Sequence, residues 1–384
     1  MKHMILGLIL SFVLIGCATT NLPPVTSNEF SFQDDEKRLW LRSEEEQEVL
    51  DESGLQYNDK KLNAYLNKVG KKLQQPEVYN VIPFKIKVLK NPYSNAFAYP
   101  NGVIYIHSGL IARIDNEAQL ATLIAHEMTH ATHRHQVREF RGTRNKAGFY
   151  ASMQSTLGTL PAIGGLASAL GEIGTKAAVS GYSQGLETES DMEGIKLMIR
   201  AGYDPREAPK LFQHLKDELK EEGAEEPFFF GSHPRLQDRI DNYQRFLKTH
   251  PSNKKGIVNR KTYRKNVANV ILANAFLDLK AGRFESARRG ARKYLSIRPK
   301  SSKGNYLLAE IHRQRNENGD AAQASKYYKK SIALSKKYPN SYKGLGLLYY
   351  KQGKKSKAKK AFKSYLKLSP KAADREYIKQ YMAH

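Results

Sequence analysis

Residues 126–130 read His-Glu-Met-Thr-His, a spacing suited to metal-dependent chemistry. On a helix, side chains four positions apart lie on one face, so the imidazoles of His126 and His130 can ligate one ion. Glu127 then projects beside the position where that ion would hold a water molecule. Such a string arises by chance in roughly one chain in fifty of this length and composition, so its interpretation depends on the surrounding sequence.

A second pair of residues, further along the chain, can complete the metal site. A catalytic zinc ion takes three protein ligands and keeps one position open. Glu187 and Asp191 are again four residues apart, and we predict that Glu187 ligates the metal. Asp191 would accept a hydrogen bond from the free nitrogen of a ligand histidine, which fixes the tautomer of that ring. Glu189 is a competing ligand, and a solvated acidic helix face is the alternative interpretation.

Four separate motifs around these residues occur in the order typical of one known family. They are Asn95-Ala-Phe-Ala-Tyr-Pro-Asn-Gly102 with Gly109-Leu110, then HEMTH with Arg134-His135 after it, then Glu187 to Asp191, then Gly231-Ser-His-Pro234 with Arg239-Ile240. Over residues 58–240 the chain resembles the gluzincin zinc metalloproteases, whose members include HtpX, the CaaX prenyl protease and BepA. Because the sequence has no run suited to the spanning helices of membrane-embedded members, the soluble, periplasmic BepA-like branch is the nearer resemblance.

This resemblance implies the chemistry of the site. One zinc ion would be bound by His126, His130 and Glu187. Glu127 would take a proton from the attacking water and pass it to the leaving amine of a peptide, a transfer typically worth ~10² to 10⁴ in rate. The chain is therefore predicted to be a zinc metalloendopeptidase.

The resemblance also points to residues around the ligands. His233 would lie near the zinc, either in the open coordination position at rest or as a stabiliser of the oxyanion, and a capping or surface histidine is the alternative. Arg239 is expected to support the ligands together with Asp191. His133 and His135 are expected to be structural or to contact the ligands without binding the metal.

The sequence patterns around these residues predict a mainly helical α+β domain with a small sheet, which would hold them in position. Helices are predicted over 34–54, over 58–73, from a cap at Asp115 or Asn116 through His130, and over 187–201. Strands are predicted over 84–89, 95–99 and 103–107, the last two joined by a Pro-Asn-Gly turn. Either of these last two strands could offer an unpaired edge to an extended peptide.

A segment with almost no charge, residues 142–185, separates the second and third expected ligands. It is rich in glycine, alanine, serine and threonine. We expect a mobile lid over the cleft, and the alternatives are a membrane-touching hairpin or a packed helical hairpin.

Residues 262–384 are predicted to form an all-helical tetratricopeptide-repeat solenoid. The repeated positions are Gly282, Ala287 and Pro299, matched by Gly353, Ala358 and Pro370. Gly319 precedes Gly353 by 34 residues, which is the period of these repeats. The first repeat is the poorest match, because Asn274 occupies a position that is usually apolar. Such repeats bind peptides or proteins and carry no chemistry.

Charge is distributed unevenly between the two parts. The chain has a net charge of +25, and residues 251–384 alone carry 34 Lys+Arg against 7 Asp+Glu. A solvated basic surface does not account for this excess, so an anionic partner is expected: acidic lipid headgroups, lipopolysaccharide or acidic loops of a partner protein. Envelope protein partners would bind through the repeats, and an export signal argues against nucleic acid.

The first residues predict export. An apolar run from Ile5 to Gly16 is too short to span a bilayer and ends at Cys17, the only cysteine, which excludes a disulfide framework. The run resembles a lipoprotein signal with its lipobox, and an ordinary signal peptide is the alternative. Lipidation at Cys17 would anchor the chain in the periplasm, with Ala18 favouring the outer membrane. Residues 18–33 would be a tether, 34–250 the protease domain and 251–261 a linker.

Two functions are compatible with these features. The first is a membrane-anchored zinc metalloendopeptidase that acts on unfolded or misassembled envelope proteins, in protein quality control, with repeats that recruit clients or partners. The second is a chaperone or scaffold of outer-membrane assembly whose protease site is largely latent. A basic adaptor with a coincidental HExxH string would leave the other motifs unexplained. An apolar share of 40% and a charged share of 26% exclude a polytopic membrane protein.

Overall fold

The structure is a computed structural model that describes residues 21–142, 166, 169–180, 182–221, 236–251 and 255–383. It begins with the helices α1 (Asp34–Glu52) and α2 (Lys60–Leu73) and the single turn α3 (Pro76–Tyr79). Asp59 starts α2, because its side chain accepts hydrogen bonds from the next backbone N–H groups. The apolar face of α2 packs in the main hydrophobic core, as its spacing predicted.

Three short strands form one sheet in the order β1-β3-β2. They are β1 (Lys85–Leu89), β2 (Ala96–Ala98) and β3 (Val103–His107). β1 is parallel and β2 antiparallel to β3. Because β3 has a neighbour on both sides, the expectation that it could offer a free edge is wrong. β2 is an outer strand, and Gln136 covers part of its far side by donating a hydrogen bond to Ala98 O.

The HEMTH string lies on a helix that is buried along its whole length. α4 (Ser108–Arg113) follows the sheet and leads into this helix, α5 (Glu117–Thr132). Of the two capping residues that the sequence offered, Asn116 is the one that caps α5, since its side chain accepts from Gln119 N at 3.0 Å. Because helix α5 is buried on every side, it serves as the central element of the core.

Five further helices follow α5 within the described residues, and one of them ends in a π-helical turn. They are α6 (His135–Gly142), α7 (Glu172–Thr175) with the π-helical turn Lys176–Ser180, α8 (Gln184–Arg200), α9 (Glu207–Glu221) and α10 (Leu236–Thr249). Most of the low-charge segment expected to form a lid lies outside the described residues. Its described end is held by Glu46 of α1, which accepts from Ile173 N and Gly174 N at 3.0 and 2.8 Å.

The C-terminal part consists of antiparallel helix pairs, as predicted. The pairs are α11 (Arg260–Lys280) with α12 (Phe284–Ile297), α13 (Ser302–Arg315) with α14 (Asp320–Leu334), and α15 (Pro339–Lys351) with α16 (Lys355–Leu368), followed by α17 (Arg375–Ala383). The turn inside each pair contains a glycine at positive φ: Gly282 at 74°, Gly319 at 81° and Gly353 at 69°. The repeated glycines are therefore explained by a backbone conformation that other residues rarely adopt.

The first helix pair packs directly on α4, and this contact explains the irregular Asn274. Ser108 Oγ donates to Asn274 Oδ1 at 2.8 Å, and Asn274 Nδ2 donates to Asp278 at 3.0 Å. Tyr263 OH also donates to Ile111 O at 2.6 Å. Asn274 is polar because it faces α4 and not another repeat. The two modules share an interface here, which the predicted linker over 251–261 did not anticipate.

The N-terminal residues differ from the extended tether that was predicted. Of residues 21–33, Leu22 and Val25 are buried, and Val25 N donates to Thr132 O at 2.9 Å at the end of α5. Residues 21–33 therefore pack on the domain that contains α5.

Within the described ranges, no helix combines the length and the apolar composition that crossing a bilayer requires.

A buried carboxylate joins three parts of the chain at the start of α5. Glu117 is 6% exposed and accepts hydrogen bonds from Tyr65 OH at 2.8 Å, Tyr203 OH at 3.0 Å and Asn259 Nδ2 at 2.8 Å. Val258 O accepts from Glu117 N at 3.1 Å. Residues 258 and 259, which precede the repeats, therefore complete the N-terminal end of the helix that carries the metal motif.

Replacing Glu117 with alanine should lower the free energy of unfolding by about 3 kcal/mol, because it leaves the buried hydroxyls of Tyr65 and Tyr203 without an acceptor. The measurement is urea unfolding followed by circular dichroism. Glu77→Ala is the control, since Glu77 is exposed and should change stability by less than about 0.5 kcal/mol. Equal stability of the two variants would contradict this role of Glu117.

Candidate functional site

Two histidines of α5 place their ring nitrogens face to face. His126 and His130 are four residues apart on the helix, and their Nε2 atoms lie 3.0 Å apart. Their exposed fractions are 0% and 1%. Burial lowers the pKa of His130 well below its ordinary value, so its ring is neutral, as a metal ligand must be.

α8 brings a carboxylate to the same point. Glu187 Oε2 lies 3.5 Å from His126 Nε2, and Glu187 Oε1 lies 3.3 Å from His130 Nε2. This approach requires Gly194, because a Cβ there would lie only 3.2 Å from His126 N and 3.3 Å from the carbonyl carbon of Ala125. α8 can thus pack against the backbone of α5, and its first turns then reach the histidine pair.

The three residues together have the donor set of a metal site. One ligand atom from each of His126, His130 and Glu187 lies within 4.8 Å of the other two. Two bare imidazole nitrogens and a carboxylate in a buried position are stable together only if a cation lies between them. Two nitrogens and one oxygen suit zinc, and with three protein ligands a fourth position is left for water or substrate.

Glu127 lies next to the first ligand and is 1% exposed. Its charge helps to raise the pKa of Tyr182 well above the ordinary value, after the larger effect of the removal of Tyr182 from water. A buried carboxylate in the turn between two ligand histidines is where a proton acceptor for an attacking water is needed.

Asp191 lies at the back of the first histidine. His126 Nδ1 is 3.1 Å from Asp191 Oδ1, and Tyr243 OH donates to the same oxygen at 2.8 Å. Burial alone would raise the pKa of Asp191, but the charge of Arg239 and the hydrogen bonds from His126 and Arg239 outweigh it, so the pKa is lowered. Asp191 is therefore ionised, and it favours the tautomer of His126 that leaves Nε2 bare.

Arg239 lies beside the same pair, which matches its expected supporting position. Arg239 Nη2 is 2.8 Å from Asp191 Oδ1 and 2.8 Å from His126 Nδ1. Since a guanidinium can only donate, and His126 Nδ1 donates to Asp191 in the metal-binding tautomer, the hydrogen bond of Arg239 is the one to Asp191. Its guanidinium also stacks 4.0 Å from the ring centroid of Phe212.

Glu189, the competing ligand, lies away from the cluster. Its Oε2 is 3.3 Å from His135 Nε2 and 3.0 Å from Arg138 Nη1. The hydrogen bond from His135, followed by that from Arg138, lowers the pKa of Glu189 to about 2 despite partial burial. His135 in turn contacts His130, whereas His133 contacts Thr132. Glu187 is therefore the carboxylate that meets both ring nitrogens.

Sequence reasoning did not find Tyr182. Its ring stacks on that of His130, with centroids 3.8 Å apart and planes at 16°. No signal marked it, because it lies within the low-charge segment and far in sequence from the motif. Two predicted residues, His233 and Cys17, lie outside the described residues, and their roles stay predictions.

Comparison with known proteins agrees with this geometry. A sequence model of peptidase family M48 matches residues 58–259, just over half of the chain. The chain is 30% identical over 203 residues to the beta-barrel assembly-enhancing protease of Yersinia pestis, and 31% identical over 189 residues to that of Escherichia coli K12. It is 27% identical over 199 residues to the mitochondrial metalloendopeptidase OMA1 of Saccharomyces cerevisiae.

These alignments cover 50%, 48% and 48% of this chain, and 41%, 38% and 54% of the respective relatives. The chain thus matches about two fifths of the length of the two bacterial relatives. From the family match and the convergence of the two histidines with Glu187, we conclude that this chain belongs to peptidase family M48.

Proposed function

We propose that this chain is a zinc-dependent endopeptidase that cleaves unfolded or misassembled proteins of the bacterial envelope. The observation that carries the proposal is the convergence of His126, His130 and Glu187 on one point, with Glu127 in the turn between the two histidines. Both bacterial relatives are named beta-barrel assembly-enhancing proteases, and these names support envelope proteins as the substrate class.

The residues of this chain divide the reaction among them. A zinc ion, when bound, would supply Lewis acidity toward a peptide carbonyl and toward water. Glu127 would accept a proton from water as its oxygen bonds to the carbonyl carbon, and would return that proton to the nitrogen as the C–N bond breaks. Asp191 and Arg239 would hold His126 in place throughout. His233 remains our proposed occupant of the open position or stabiliser of the oxyanion.

A second candidate, a chaperone or scaffold with a largely latent protease site, is favoured by one observation. His126, Glu127, His130 and Glu187 are only 0%, 1%, 1% and 5% exposed. A peptide cannot reach these side chains unless neighbouring segments move. The two candidates differ in whether the metal-loaded chain cleaves an unfolded protein without any further activator.

The metal assignment predicts that the wild-type chain holds one zinc ion, and that Glu187→Ala weakens zinc binding at least about a hundredfold, since losing a ligand costs more than losing an outer partner. Glu193→Ala is the matched control, because Glu193 lies on the same helix and forms an ion pair with Lys196 at the surface. The measurement is zinc content after dialysis against a competing chelator. Equal zinc retention in both variants would exclude Glu187 as a ligand.

Glu127→Gln should keep zinc and lose peptide cleavage by at least about a thousandfold, because an amide cannot accept the proton from water. Cleavage of an unfolded protein such as reduced casein measures the loss, and zinc content shows that the site is intact. Cleavage by the zinc-loaded variant at the wild-type rate would contradict the assignment. Absence of cleavage by the zinc-loaded wild type would instead favour the latent site.

We further propose that the chain is a periplasmic lipoprotein anchored through Cys17, in the outer membrane, and that the repeats contact an anionic lipid surface. Between Asp320 and Asp374 the chain has 15 lysines, no arginine and no carboxylate. On α16, Lys355, Lys359, Lys363 and Lys367 follow one another at four-residue spacing and are all exposed. Like charges at this spacing destabilise a helix, so an anionic partner would relieve their repulsion. Lysines without arginines suit a field of phosphate headgroups better than bidentate recognition of single carboxylates.

Replacing these four lysines with glutamine should weaken binding to vesicles containing phosphatidylglycerol at least about tenfold, since each surface lysine contributes about 1 kcal/mol. Wild-type binding should fall steeply between low and physiological salt. Co-sedimentation measures both effects, with phosphatidylcholine vesicles as the control. Salt-independent binding, or binding only to an acidic peptide, would refute contact with anionic lipid.

A further inference from the structure

The two ligand histidines are supported in different ways. Each must leave Nε2 bare for a metal, so each carries its ring proton on Nδ1. The proton of His126 has a carboxylate, Asp191, as its acceptor. His130 Nδ1 instead faces another imidazole: it lies 2.9 Å from His135 Nδ1, with the two rings at 78° to each other. The tautomer of His130 therefore depends on the tautomer of His135.

The second ring is buried and reaches a charged pair. His135 is 0% exposed, and its Nε2 lies 3.3 Å from Glu189 Oε2, within reach although the angle is not that of a regular hydrogen bond. Glu189 Oε2 also accepts from Arg138 Nη1 at 3.0 Å. Ser190 Oγ lies 3.3 Å from His135 Nδ1, where its hydroxyl can act as a second donor.

Only one arrangement of protons satisfies all these contacts while leaving His130 Nε2 bare. In a contact between two Nδ1 atoms, one nitrogen donates and the other accepts. His130 donates, so His135 accepts at Nδ1 and carries its own proton on Nε2. That proton points toward Glu189, whose charge favours this tautomer, and the Ser190 hydroxyl is compatible with it because a hydroxyl can donate or accept.

We propose that His135 and Glu189 are positioning residues that hold His130 in its metal-binding tautomer through a chain of two contacts, the hydrogen bond between the two imidazoles and the close approach of His135 Nε2 to the charge of Glu189. This inference rests on the proposed function, since it concerns the same metal site. His135 plays at His130, by way of Glu189, the part that Asp191 plays directly at His126. Neither residue touches the metal or the substrate.

A left-handed turn of the backbone brings the rings of His130 and His135 into contact. Arg134, between α5 and α6, has φ of 58°, a left-handed conformation that is costly for a residue other than glycine. The turn folds the chain back, so that the ring of His135 lies against that of His130. The side chain of Arg134 is held by buried Glu36, with Nε to Oε1 at 3.0 Å and Nη2 to Oε2 at 2.5 Å. A buried ion pair thus holds an uncommon turn next to the ligand.

The test is the zinc dissociation constant of the full chain, measured at neutral pH by competition with a chelating dye. His135→Phe keeps the ring volume and removes the acceptor, so zinc binding should weaken about 10- to 100-fold, as for other outer partners of metal ligands. His135→Asn places an amide oxygen near the position of Nδ1, and should stay within about threefold of the wild type. If His135 were only a packing residue, His135→Phe, which keeps the ring volume, would bind zinc at least as tightly as His135→Asn.

Glu189→Gln tests the second step without changing packing, and should weaken zinc binding about tenfold by removing the charge that selects the tautomer of His135. If His135→Phe fails to fold, Glu189→Gln still tests the proposal. The matched control is His133→Phe, because His133 is the neighbouring histidine that contacts Thr132 and should leave the constant unchanged.

Two results would overturn the inference, and they can be told apart. If the wild type binds zinc but Glu189→Gln and His135→Phe bind it as tightly as His133→Phe does, the positioning role fails and the proposed peptidase stands. If the wild type itself binds no zinc, the metal site and this inference both fail. The proposal is supported if zinc affinity is highest in the wild type and His135→Asn, lower in Glu189→Gln and lowest in His135→Phe.

Discussion

The close packing of α8 against α5 is the constraint on which the site depends. Without a side chain at Gly194, the backbone of α8 approaches that of His126 closely enough for Glu187 to reach both ring nitrogens and for Asp191 to reach the back of one ring. The charges brought together are then buried, which is tolerable only if each has an opposite partner. For this reason Arg239 forms an ion pair with Asp191, and Arg138 forms one with Glu189.

Helix α5 is held at both ends by parts of the chain that are distant in sequence. At its start, Val258 O and the side chain of Asn259 meet Glu117, and the first repeat pair packs on the preceding helix through Asn274. At its end, the N-terminal segment contributes Val25, and Glu36 fixes the left-handed Arg134. The helix that carries the ligands is thus held between the N-terminal segment and residues 258–274, and the first repeat pair is part of its support.

Burial has two consequences for function that act in opposite directions. It keeps the imidazoles neutral and strengthens every electrostatic interaction within the site, which suits metal binding and proton transfer. It also leaves little of the site accessible, since His126, Glu127, His130 and Glu187 are at most 5% exposed.

Much of this could be predicted from local patterns. The HEMTH spacing placed His126 and His130 on one helix face, and the i, i+4 spacing did the same for Glu187 and Asp191, because helical periodicity decides which side chains share a face. The strands followed from alternation and a Pro-Asn-Gly turn, and the repeat pairs from glycines that recur where the backbone needs positive φ. Helix boundaries were accurate to about one turn, as caps such as Asp59 are local signals.

Other features depended on contacts between residues far apart in sequence. No local pattern could decide between Glu187 and Glu189, because both lie on one exposed-looking helix turn and only the packing angle of α8 separates them. Periodicity likewise could not predict the central position of β3, the packing of residues 21–33 or the stacking of Tyr182 on His130. The sequence by itself determined which side chains can act as ligands and which helices present them. The tertiary structure alone decided which of them meet, because a buried charge is stable only where a partner from elsewhere in the chain neutralises it.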